Sequence, residues 1–101
     1  MRSPPQAGTA EHEDEVAAIV AASPQIDGKV LRMIREARKI ELRELASITK
    51  IGVSYLRNIE DERFEDLPAP VYIRGFVVLI AKALRIDPNV TAASYMKRLR
   101  D

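Results

Sequence analysis

The chain has no cysteine, one histidine and only four glycines in 101 residues. Without cysteine there is neither a disulfide framework nor a thiolate metal site, a composition suited to a reducing compartment. A cytoplasmic location is therefore expected. His12 has no second ligand or general base at useful spacing. Gly8, Gly28, Gly52 and Gly75 are scattered, so no glycine-rich loop exists to cradle a phosphate. The adjacent acids Asp61-Glu62 and Glu65-Asp66 read as a solvated loop rather than an acid–base pair. No catalytic residue, metal site or cofactor is expected, and the chain does not read as an enzyme. The longest apolar run, Phe76 to Ala81, falls far short of the roughly 20 residues of a membrane helix. The opening MRSPPQAGTAEHEDE lacks the apolar core of a signal peptide.

What is present is a charged, moderately apolar chain: 47% hydrophobic, 31% charged, net +1. That length and composition allow one domain with a modest core. The charge is unevenly spread. Residues 1–27 set Arg2 against Glu11, Glu13, Asp14, Glu15 and Asp27, a net −4. Residues 28–40 carry +4, residues 41–66 carry −3, and residues 67–101 carry +4.

Residues 41–61 carry the spacing of a helix-turn-helix. Ala46 is small enough for two helix backbones to cross, and Ile51, Leu56 and Ile59 follow it by 5, 10 and 13 positions. Apolar residues so spaced fill one small core between a helix pair joined by a short turn. Periodicity predicts helices at Lys29–Lys39, Leu42–Ile48, Val53–Asp61, Pro70 to about Leu84, and Pro88 to about Leu99. In the first, Val30, Leu31, Ile34 and Ala37 form the apolar face, and Arg32, Arg35, Glu36 and Lys39 form a solvated one. Residues 1–10 read as a disordered lead-in. Residues 11–22 read as mostly unstructured or as a short helix capped by Thr9, with Val16, Ile19 and Val20 as its stripe. The expected fold is all-α: a compact five-helix domain over 29–101 behind a flexible or short-helical acidic extension, 1–28. Gly75, inside a helix, is expected to mark a close helix contact, since glycine there costs up to about 1 kcal/mol against alanine.

The run Phe64, Leu67-Pro68-Ala69-Pro70, Tyr72 and Arg74-Gly75-Phe76, together with the helix-turn-helix, resembles the cytosolic domain of RodZ-type bacterial cell-shape proteins. The resemblance covers roughly Val30 to Tyr95 and implies a phage-repressor (XRE-like) fold. It also implies a surface on the helix from Pro70 that docks the actin-like filament protein MreB, with aromatic residues at its centre. Tyr72 and Phe76 match those aromatics, and Arg74 lies between them. Val78 and Ile80 stand where the family often has a basic residue and a further aromatic. Members of RodZ proper continue through a membrane helix, so this chain is expected to be either a soluble relative or a piece of something longer. Read from the residues alone, Tyr72 and Phe76 suit a small core as well as an interface, because only five aromatics are available. The apolar residues between Val71 and Ala83 exceed one stripe, so some must be exposed or covered.

The helix-turn-helix also admits DNA. The outward positions of the helix from Val53 would be Gly52, Val53, Ser54, Arg57, Asn58 and Asp61, with Arg57 suited to guanine and Asn58 to adenine. Against this, Glu62, Glu65 and Asp66 follow where phosphate-gripping cations would help. Lys50 occupies the turn position where many DNA-binding members have glycine, which argues for an ordinary rather than left-handed backbone there. The leading expectation is a protein-binding adaptor working through Tyr72, Arg74 and Phe76. The alternative is a DNA-binding regulator reading through Ser54, Arg57 and Asn58.

Overall fold

The computed structural model describes residues 4–101, with side chains from Glu13 onward. His12 lies outside the described side chains. Among the described residues the chain is all helix and loop: α1 (Pro4–Ala22), α2 (Gly28–Ala37), α3 (Leu42–Thr49), α4 (Val53–Asp61), a 3-10 turn (Phe64–Asp66), α5 (Pro70–Leu84) and α6 (Pro88–Arg100). That is six helices rather than five, because the N-terminal segment supplies one. It starts at Pro4, so Thr9 lies inside the helix and is not its cap. Proline needs no N–H partner in a first helical turn, which makes Pro4 and Pro5 compatible with that start.

α1 is held from one side. Val16 is buried, Ile19 and Val20 pack against the core, and Glu13 reaches Arg38 at 3.1 Å and Arg85 at 3.7 Å. Arg38 itself donates to the carbonyl of Leu84 at 2.9 Å, placing a cation at the C-terminal end of α5.

α2 starts one residue earlier than periodicity suggests. Asp27 caps it by accepting from Val30 N–H at 3.0 Å, and Gly28 is its first residue. The glycine is required by proximity. A Cβ there would stand 2.5 Å from the carbonyl oxygen of Ile59 and inside contact distance of that of Glu60. The start of α2 therefore lies directly against the end of α4. Val30, Leu31, Ile34, Leu45, Leu56, Ile59, Ile73, Val77, Leu84 and Tyr95 make the core. Tyr95 spans it, donating its hydroxyl to the carbonyl of Ile59 at 2.7 Å while the Phe64 ring meets it edge-on at 6.2 Å. Burial pushes the Tyr95 phenol pKa upward, so it stays a donor. Phe64 and Leu67 thus fold the α4–α5 connection onto the core.

α3, α4 and α5 end on a left-handed cap residue, and α2 is followed by one just after its cap; none of these residues is glycine: Lys50, Glu62, Arg85 and Lys39, with φ 62°, 57°, 63° and 61°. This reverses the expectation for Lys50. Its N–H closes α3 on the carbonyl of Ala46 at 2.8 Å, while Thr49 Oγ1 accepts from Ile51 N–H at 3.3 Å. The turn geometry is set by these bonds, and lysine bears the steric cost of about 1–2 kcal/mol.

Two substitutions should move stability in opposite directions. Lys50→Gly is expected to raise it by about 0.5–1 kcal/mol, the left-handed cost relieved minus the added unfolded-chain entropy. That corresponds to a melting temperature some 2–8 °C higher for a domain of this size. Gly28→Ala is expected to cost about 2–3 kcal/mol, because backbone oxygens must move. Thermal or denaturant melts check both, and a neutral Gly28→Ala would contradict the packing of α2 on α4.

Candidate functional site

The helix-turn-helix is formed by α3 and α4, and its charges differ from the sequence count. Arg35 is not on a solvated face. It is 8% exposed and grips Glu60, also 8% exposed, through Nε–Oε2 at 2.6 Å and NH2–Oε1 at 3.1 Å, while NH1 donates to the carbonyl of Ile40 at 2.8 Å. The hydrogen bond to Glu60 raises the Arg35 pKa against the opposing effect of burial. Glu62 is likewise occupied. It accepts from Gly28 N–H at 2.9 Å and from Arg98 Nε at 3.0 Å, which raises the Arg98 pKa. Glu60, one of the acids counted in residues 41–66, and Glu62 of the following loop are therefore internally paired.

What remains outward on α4 is mixed. Ser54 and Arg57 are exposed. Asn58 is half-buried, its Nδ2 directed at the carbonyl of Asp66 at 3.5 Å. It is thus drawn toward the loop, and the trio Ser54, Arg57, Asn58 does not stand out as one free row. Asp61 is exposed, 3.9 Å from Arg32.

α5 presents the larger apolar surface. Pro70 starts the helix, and Ile73, Val77, Ile80, Ala81 and Leu84 turn inward. The turn spacing then leaves Val71 (72% exposed), Tyr72 (62%), Gly75 and Leu79 (43%) on the opposite side. This is the excess over one stripe that the sequence shows, and it lies bare. Arg74 and Lys82 are exposed, α5 has no acid, and neither cation makes an ion pair among the described residues. Phe76 differs from Tyr72. It is half-buried and stacked against Tyr55 of α4 at 5.7 Å, with the rings tilted by 40°.

Tyr72, Arg74 and Phe76 therefore share one helix but not one environment: two are free and one is a wall of the core. Sequence reasoning did not single out Tyr55, which is exposed and meets Phe76, or Ile48, which is exposed on α3. The available signal for Tyr55 was its position beside the inward Leu56 on a helix whose other inward apolar residue is Ile59. Gly75 makes no close contact inside the chain, since nothing lies within 4 Å of where its Cβ would stand. The expected helix contact there is absent among the described residues.

Truncation separates the two rings. Tyr72→Ala should change stability by no more than about 0.5 kcal/mol, as at an open surface. Phe76→Ala should cost about 1–3 kcal/mol, from lost burial and the lost ring pair. Equal losses in a denaturant melt would contradict the assigned environments.

Comparison with known proteins agrees with this architecture. Residues 30–91 match a family described as "Helix-turn-helix domain". A curated protein named "Cytoskeleton protein RodZ", from Streptococcus pneumoniae (strain ATCC BAA-255 / R6), is 34% identical over 68 residues. That alignment covers 67% of the present chain and 25% of the streptococcal protein, so the chain spans about a quarter of that relative's length. No solved structure matches.

Proposed function

Since the chain belongs to the RodZ-type helix-turn-helix family, we propose that it is a non-catalytic adaptor docking a cytoskeletal or regulatory protein through α5. Residues 29–101 form the binding domain in this reading, with 1–28 as its acidic extension. The observation that carries it is the bare outer face of α5, where Tyr72 is 62% exposed beside Val71, Leu79 and the exposed Arg74. Exposed apolar side chains grouped on one helix are costly unless a partner covers them. Tyrosine and arginine are also the residue types that anchor protein interfaces. The cytoskeletal name of the streptococcal relative supports an actin-like filament protein as the partner to try first. Phe76 contributes by fixing the helix surface beside Tyr72, through its contact with Tyr55.

A second reading is DNA binding through α4, favoured by one observation: Glu60 and Glu62 are internally paired. Their removal from the surface lessens the repulsion of phosphate that the sequence implied. Exposed charge around α3 and α4 is still not positive. Arg43, Lys50, Arg57 and Arg63 stand against Glu41, Glu44, Asp61, Glu65 and Asp66. DNA affinity rests mainly on neutralised phosphates, which needs a surplus of cations. The adaptor reading is therefore preferred.

Cosedimentation with a purified actin-like filament protein, beside a duplex-binding assay at fixed salt, tests the two readings. Under the adaptor reading Tyr72→Ala and Arg74→Glu each weaken filament binding about tenfold or more, roughly 1.4 kcal/mol, and Arg57→Ala leaves it unchanged. Sequence-selective duplex binding that Arg57→Ala relaxes would support the second reading and contradict the first.

A further inference from the structure

α1 fills its seat incompletely. Its apolar stripe is narrow: Val16 is buried, while Ile19 and Val20 are only half-buried. Alanines flank that stripe, Ala18 and Ala22 on one side and Ala17 and Ala21 on the other, and all four are exposed. Open space lies beside each pair. A groove of about 750 Å³ runs between Ala18, Ala22 and Met33 of α2. Another, of about 400 Å³, runs between Ala17, Ala21 and Ile86 of the α5–α6 connection. The seat is wider than the helix lying in it.

Charge sets the direction of whatever occupies that seat. The Arg38 side chain is 7% exposed, and its Nε and NH2 donate to the carbonyls of Leu84 and Arg85 at 2.9 and 3.3 Å. NH1 is left to meet Glu13 at 3.1 Å, while Arg85 stands 3.7 Å from the other oxygen of that carboxylate. A guanidinium fixed on the end of α5, with a second one beside it, thus receives a carboxylate at one end of the apolar seat. The occupant must carry an acid one turn before its first inward apolar residue, as Glu13 precedes Val16. We propose that this seat is a receptor for an acidic amphipathic helix of a partner protein, with α1 as the occupant the chain supplies for itself.

The order Glu13, Val16, Ile19, Val20 states the chemistry such a helix needs. A partner with that order, and leucine-sized side chains where α1 has alanine, fills both grooves and removes more apolar surface from water. It therefore displaces α1, and α1 lowers its apparent affinity only by the fraction of time the seat is closed. The rims carry both signs, with Glu36 and Lys39 along the wider groove and Asp87 along the narrower. The demand for an acid is thus confined to the end held by Arg38 and Arg85. This site is separate from the outer face of α5 and does not depend on the adaptor reading.

Fluorescence anisotropy of the full chain with a labelled peptide of residues 4–22 carrying Ala18→Leu and Ala21→Leu tests it. This peptide should bind about tenfold or more tightly than the unmodified one. Building the same two leucines into the chain should strengthen its own α1, raise the melting temperature and weaken peptide binding about fivefold or more. That variant adds contact and removes none, so its weaker binding cannot be ascribed to unfolding. Glu13→Lys in the peptide should weaken binding about tenfold, and Arg85→Glu in the chain should recover part of the loss. Three results overturn the proposal: no binding up to about 1 mM, equal binding of the two peptides, or binding that leucines in the chain leave unchanged. The last would place the peptide elsewhere, as on the bare side of α5.

Discussion

The ion pair between Arg35 and Glu60 fixes the relation of the first domain helix to the second helix of the helix-turn-helix. It is bidentate and nearly inaccessible to water, and Arg35 also satisfies the carbonyl of Ile40 in the α2–α3 connection. Burying two charges is expensive, and only full satisfaction of both groups offsets the desolvation. The carbonyl of Ile40 takes Arg35 NH1 at 2.8 Å, and Arg32 Nε stands 3.7 Å from the Glu60 carboxylate. At the same end of α4, Gly28 lies under the Ile59 and Glu60 carbonyls, Tyr95 donates to the Ile59 carbonyl, and Glu62 ties Gly28 to Arg98 of α6. The C-terminal turn of α4 is therefore gripped by α2 and by α6. These contacts meet on Ile59, Glu60 and the cap residue Glu62, all at one end of α4.

This grip bears on function through charge. A helix-turn-helix that binds DNA offers cations around its reading helix. Here two of the local acids are spent on internal bonds, and the exposed remainder is close to balanced. The structure thus weakens repulsion from nucleic acid without creating attraction to it. α5 contrasts with this. It carries only cations, and its outward side is apolar between them. Because α5 packs on α3 and α6 while its far side is bare, the same helix serves the core and leaves an apolar surface exposed. That division suits membership of a family with a cytoskeletal relative.

Much of the fold was legible because turn periodicity states which residues must be inward. Val30, Leu31, Ile34, Leu56 and Ile59 follow that rule and are buried. What failed were effects that depend on distant partners. Arg35 looks solvated on a helical wheel, and only the approach of Glu60, 25 residues away, makes it a core residue. Lys50 takes a left-handed backbone because α3 must close on Ala46, a demand invisible in the residue itself. Gly75 seemed to need a neighbour, but space around a residue is set by packing rather than by its type. Tyr72 and Phe76 were indistinguishable by spacing. Tyr55, on another helix, decides which of them is half-buried.

The account rests on Arg35 and Glu60 acting as one unit. A double-mutant cycle measures this directly, with denaturant melts of Arg35→Met, Glu60→Leu and the pair. Each single change should cost about 3–5 kcal/mol by leaving a buried charge without its bidentate partner, with the loss of Arg35 at the lower end because Arg32 stays 3.7 Å from Glu60. The double variant should cost far less than their sum, with a coupling of about 2–3 kcal/mol. Single losses that add to within about 0.5 kcal/mol would contradict the claim that this pair sets the position of α4.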